Sequence, residues 1–141
     1  MIAAKDMNVS RQYPLVATQR FDFSQLVSGE AIEIVKIPFN SIVTGGSLIL
    51  TAAFDSGDSD AITVGDDGGN ATADADRYLT LADAQATGLS ALVPTGFQFL
   101  TMGAVTLTWT GVGTVPTAGA GILVVEYVTE GRHSFEVVPS Y

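Results

Sequence analysis

The sequence predicts an all-β fold, an antiparallel β-sandwich of about eight strands. Three observations point there. Apolar residues come in short runs that often alternate with polar ones, most cleanly where Val105, Leu107 and Trp109 alternate with Thr106, Thr108 and Thr110. Gly, Pro, Asp and Asn punctuate these runs at short intervals, which is turn chemistry. No stretch carries apolar residues at helical spacing over the length of a stable helix.

Taken in order, residues 1–19 show no clean period and are interrupted by Pro14, so they read as an extended N-terminal arm or edge segment. Residues 20–141 form a single sandwich domain, a size that one core can hold together. Phe21 and Phe23 alternate with Asp22 and Ser24 as in a half-buried strand, and Ser28-Gly29 turns. Ala31 to Ile37 is a strand ended by Pro38, which cannot donate to a ladder. Thr44-Gly45-Gly46 leads into Ser47–Phe54, β-rich and nearly continuous, and hence a central strand. Asp55–Asp60 reads as a loop, Ile62-Thr63-Val64 as a short strand, and residues 71–87 as a segment able to hold one helical turn. Phe97 and Phe99 alternate with Gly96 and Gln98. The Val105–Trp109 strand follows, then a turn around Pro116, a strand at Ile122–Val128, and a last strand at Phe135–Val138. The expected core comprises Phe21, Phe23, Ile34, Leu48, Leu50, Val64, Val105, Leu107, Trp109, Leu123, Val125 and Tyr127. Eight strands suit a jelly roll, an Ig-like sandwich or a closed barrel, and periodicity does not choose among them.

Composition narrows function more than it specifies it. The 141 residues contain no cysteine, which removes disulfides, thiol nucleophiles and zinc–thiolate sites. Only 15% of residues are charged, against about a quarter in an average chain. Low charge fits either a surface covered by partners or a Thr-rich exterior. The net charge of −9, with six Lys and Arg in all, opposes nucleic-acid binding, where affinity comes from neutralised phosphates. No apolar run approaches the ~20 residues that span a bilayer. Met1–Asp6 lacks the basic and apolar regions of a signal peptide, so no membrane partner and no export are expected.

Few residues are equipped for chemistry. Asp55, Asp58, Asp60, Asp66, Asp67, Asp74 and Asp76 fall close together with no basic residue among them. Their spacing matches neither the EF-hand loop nor the glycine-rich calcium repeat, so they read as solvated turn formers rather than a cation site. His133 is the only histidine and has no G-x-S-x-G partner motif. Gly65-Asp66-Asp67-Gly68-Gly69 lacks the Lys and following helix of a phosphate loop. No catalytic, metal or cofactor residue is assigned, and the chain is expected not to be an enzyme. Lys5, Arg11, Arg20 and Lys36 are four of the six basic residues, all in the first 36. A positive arm carrying Tyr13 fits docking on an acidic neighbour.

Several segments resemble small tailed-bacteriophage virion proteins of the capsid decoration, or cement, type. They include Val43-Thr44-Gly45-Gly46-Ser47-Leu48, Ala53-Phe54-Asp55-Ser56, Asp74-Ala75-Asp76-Arg77-Tyr78-Leu79, Leu107-Thr108-Trp109, Pro116-Thr117-Ala118-Gly119 and Val125-Glu126-Tyr127-Val128 with Gly131-Arg132. The similarity covers roughly residues 37–132 and consists of turn and strand motifs, not catalytic ones. It implies a β-rich protein, often of jelly-roll or β-tulip form, that sits outside the shell and bridges capsid subunits. The expectation is therefore a jelly-roll sandwich that cements the major capsid protein on the exterior of the virion. It would be made in the host bacterial cytoplasm and act as a homodimer or homotrimer. Its contacts are assigned to Lys5, Arg11, Tyr13 and Arg20, with Phe135 and Tyr141 near the C-terminus. The alternatives are a head fibre, tail or baseplate component, or a carbohydrate-binding module.

Overall fold

Alternation and turn chemistry produce two antiparallel sheets packed face to face. The structure, a computed structural model, describes residues 12–131. In order it contains β1 (Leu15–Asp22), a one-turn 3₁₀ helix (Phe23–Gln25), β2 (Ala31–Ile37), β3 (Ser41–Ala52) and β4 (Gly57–Asp66). After these come β5 (Asp74–Asp83), β6 (Gly88–Ala91), β7 (Gln98–Phe99), β8 (Gly103–Gly113) and β9 (Ala120–Thr129). The pairing is nested. β1 pairs with β9, β2 with β8, β3 with β6 and β4 with β5, every pair antiparallel. This is one long ribbon rolled up so that its strands fall alternately into a β1-β9-β3-β6 sheet and a β2-β8-β4-β5 sheet. That arrangement is a jelly roll. β7 adds a short pairing to the start of β3.

The core lies between the sheets. Ile37, Val43, Leu48, Ile62, Val64, Phe99, Val105, Leu107, Leu123 and Val125 are buried from alternating positions on both. Of the residues expected there, Phe23, Ile34 and Tyr127 only pack partly against it. Trp109 and Phe54 stack with ring centroids 5.6 Å apart, a pairing worth roughly 0.5–1.5 kcal/mol beyond its buried area. Gly46 lies beside a register shift in β3 at φ +138°, and a Cβ there would come within 2.1 Å of the Val124 carbonyl oxygen. Only glycine lets β3 pass β9 this closely.

Several expectations need correction. Residues 15–19 belong to β1, an edge strand, so of the two readings of this stretch the edge segment is the one that holds for them. Phe23 is not in a strand, because Asp22 and Gln25 form a capping box: Ser24 N–H donates to Asp22 Oδ1 at 2.9 Å and Asp22 N–H to Gln25 Oε1 at 2.9 Å. β4 begins at Gly57, inside the expected Asp loop, since its edge pairs with β8 up to Gly113. Residues 74–83 form strand β5, not a helical turn. The strand expected at Phe135–Val138 lies outside the described residues.

Candidate binding surface

The described ends of the chain, before β1 and after β9, lie at the same end of the sandwich. β1 starts and β9 finishes there, and Gln12 joins them: its Nε2 donates to the Thr129 carbonyl at 2.6 Å, and Thr129 N–H donates to its Oε1 at 3.0 Å. The β2–β3 turn reaches this end as well. Asn40 takes φ +61°, a left-handed conformation that asparagine tolerates, and its carbonyl accepts from Glu130 N–H at 2.8 Å. Ser41 pairs with Phe99 and Ile37 with Gly103, so Phe39 sits beside Leu100 and Met102. These three side chains are 62%, 71% and 67% exposed. Large apolar side chains left in water at one end of a sandwich are a usual mark of an interaction surface.

The acidic β4–β5 turn props up this end. Asp66 is buried; its Oδ2 accepts from Arg77 Nε at 2.6 Å and the Tyr78 hydroxyl at 2.9 Å, and its Oδ1 from Gly68 N–H at 3.0 Å. The Arg77 guanidinium lies 3.8 Å from the centre of the Phe97 ring, a cation–π contact. Burial first, and then the Asp66 charge, push the Tyr78 phenol above the usual range. Asp67 Oδ1 accepts from Gly69 N–H and Ala104 N–H, each at 3.0 Å, tying the turn to β8. Asp76 is raised by its contact with Asp74, which is itself lowered by the hydrogen bond between them. A cleft of about 150 Å³ between this turn and Phe97, Gln98 and Leu100 adjoins the apolar group.

At the opposite end, the carboxylates are again internal fasteners. Asp60 is buried and accepts from Ser56 N–H at 3.1 Å, Ser56 Oγ at 2.6 Å, Gln85 Nε2 at 3.2 Å and Trp109 Nε1 at 2.9 Å. Asp55 accepts from the Thr117 hydroxyl at 2.6 Å, Thr117 N–H at 2.7 Å and Ala118 N–H at 3.1 Å, which hold its carboxyl below the usual carboxylate range. The reading of these residues as solvated is thus wrong for Asp60 and Asp66, and Arg77 is the cation that composition alone did not place beside Asp66. Among the described residues, no group of three or more His, Asp or Glu could hold a metal ion. No helix among them is long and apolar enough to cross a membrane.

The structure separates the sequence-predicted contacts. Tyr13 is 82% exposed beside the terminal end. Arg20 lies on β1 opposite Ile122, towards the other end, so it does not share a surface with Tyr13. Lys5, Arg11, Phe135 and Tyr141 lie outside the described residues, in the two segments that continue from the terminal end. Phe39, Leu100 and Met102 were missed. Their only sequence signal is an apolar residue placed inside turn chemistry, Pro38-Phe39-Asn40 and Leu100-Thr101-Met102-Gly103.

Comparison with known proteins rests on fold alone. No protein-family model and no curated protein matches the chain. Solved structures do. A chain of the Cyanophage Pam1 capsid asymmetric unit superposes with TM-score 0.64 at 18% identity, covering 92% of this chain and 97% of that one. A chain of the acidic stable capsid structure of Helicobacter pylori bacteriophage KHP30 gives 0.63 at 17% identity, covering 84% and 89%. One from the capsid of Ralstonia phage GP4 gives 0.57 at 19% identity, covering 92% and 94%. The match runs nearly end to end in each, so this chain has the same fold as components found in those capsids.

Proposed function

We propose that this protein is a structural part of a tailed-phage virion that binds the outside of the capsid and cements neighbouring subunits of the major capsid protein. The observation that carries this reading is the terminal end: the start of β1, the end of β9 and the exposed Phe39, Leu100 and Met102 lie at one pole of the sandwich. The fold shared with capsid components supports a place in the virion. Lys5, Arg11 and Tyr13, with Phe135 and Tyr141, supply contacts from the terminal segments, and Phe39, Leu100 and Met102 supply the apolar centre. Arg20, towards the other end of β1, would make a separate contact. The mechanism is linkage: a protein that binds only the expanded shell adds RT ln(1 + [L]/Kd) to its stability at each site, about 2.7 kcal/mol at a hundredfold excess over Kd. Assembly as a dimer or trimer multiplies the shell subunits that one particle of cement can join.

The test is binding to purified expanded capsids that lack the protein. Wild type should saturate the shell and raise its melting temperature. Leu100→Asp with Met102→Asp should lower occupancy by tenfold or more, because these exposed positions affect the fold little and the contact greatly. Arg11→Glu with Arg20→Glu should also weaken it. Unchanged occupancy for both pairs would sink this docking geometry.

A further inference from the structure

The end opposite the termini carries a second, separate site. A cleft of about 500 Å³ opens between the 3₁₀ segment and the β8–β9 loop, within the range of sites that take a ligand group. Its walls are Phe23, Leu26, Trp109 and Pro116, and its rim is Val27 and Val115, which are 57% and 86% exposed.

The polar groups of the cleft are already committed. Ser28 Oγ accepts from Gly111 N–H at 3.1 Å and lies 3.3 Å from the Gly111 carbonyl. Ser56 Oγ donates to Asp60 at 2.6 Å, and Thr114 Oγ1 donates to the Ser56 carbonyl at 3.1 Å. Ser24 Oγ donates to Asp22. An occupant therefore gains mainly by burying apolar surface. Charge sets a second requirement. No charged side chain lines the cleft itself; its flanking residues 22–30, 54–58 and 109–119 carry Asp22, Glu30, Asp55 and Asp58, with Arg20 two positions before Asp22 on β1. An incoming segment is favoured if it is basic beside its apolar residue.

We infer that this cleft receives an aliphatic or aromatic side chain from an extended segment of another protein, next to a lysine or arginine. With the terminal end on one partner and the cleft on another, the protein is two-headed. Occupying one end raises the effective concentration at the other.

Trp109 is the only tryptophan and lines the cleft, so its fluorescence reports on this site directly. Three capped peptides probe the full-length protein: a Phe-Val pair flanked by lysines, the same pair flanked by aspartates, and Gly-Ser flanked by lysines. The lysine-flanked Phe-Val peptide should give a saturable change in Trp109 emission that weakens with added salt, and the other two should not. Val27→Ser with Val115→Ser, both exposed positions, should weaken that binding about tenfold while leaving the melting temperature in place. Equal binding of the aspartate-flanked peptide, or no binding by any of the three, overturns the inference. So does concentration-dependent self-association that shields Trp109, since the occupant would then be another copy. Binding of this peptide is independent of capsid binding through the terminal end, so either reading can fail alone.

Discussion

Asp66 shows how a single side chain organises the terminal end. Its carboxylate is fully desolvated yet meets Arg77, Tyr78 and a backbone N–H, so removing it strands a guanidinium and a buried phenol together. Asp66→Ala should cost roughly 3–5 kcal/mol, a loss on the order of 10 °C in melting temperature by calorimetry. Tyr78 adds a pH signature. Its phenol is raised in the folded state, so its contribution to stability is complete below the ordinary phenol pKa of about 10 and is lost as pH rises beyond it. Denaturant melts should therefore show stability falling above about pH 10 in the wild type and falling less steeply in Tyr78→Phe, which starts about 1–2 kcal/mol lower for want of its hydrogen bond. Nothing in the string of aspartates distinguishes Asp66 and Asp60, which are buried, from Asp58, which is exposed. Burial depends on which strands meet, and Arg77 reaches Asp66 only because β5 turns back along β4.

Strands were legible where apolar residues are β-rich or alternate, even in β8, whose threonine face at Thr106 is buried as well. β2 falls close to where alternation places it, β9 close to the strongly β run Ile122–Val128, and β8 is found on its Val-Leu-Trp alternation. β5 was not legible, because Asp and Ala are poor strand formers, and its ladder with β4 and the burial of Tyr78 and Ala82 override that preference. β4 was read short for the same reason, since its first residues are Gly57, Asp58 and Ser59. At the β3 bulge the prediction is sharp. Gly46→Ala adds a Cβ against the Val124 carbonyl in a conformation that alanine resists, so it should destabilise by several kcal/mol in equilibrium unfolding. An alanine variant as stable as wild type would mean that β3 and β9 do not approach as described.

At the scale of the whole molecule, the all-β class and the sandwich packing were readable, but the nested order was not. Pairing β1 with β9 joins Leu15 to Tyr127, and no local pattern reports a contact across that much chain. The convergence of the start of β1 and the end of β9 on the apolar end is a consequence of that order, which is why Tyr13 could be singled out in the sequence while Phe39, Leu100 and Met102 could not. The measurement that bears most directly on the cementing role is the copy number of this chain, relative to the major capsid protein, in particles purified from the culture that produces it. A shell-wide cement predicts a near-stoichiometric ratio, with hundreds of copies per particle. A handful of copies would place the protein at the tail or portal vertex instead, and its absence from the particles would contradict the account.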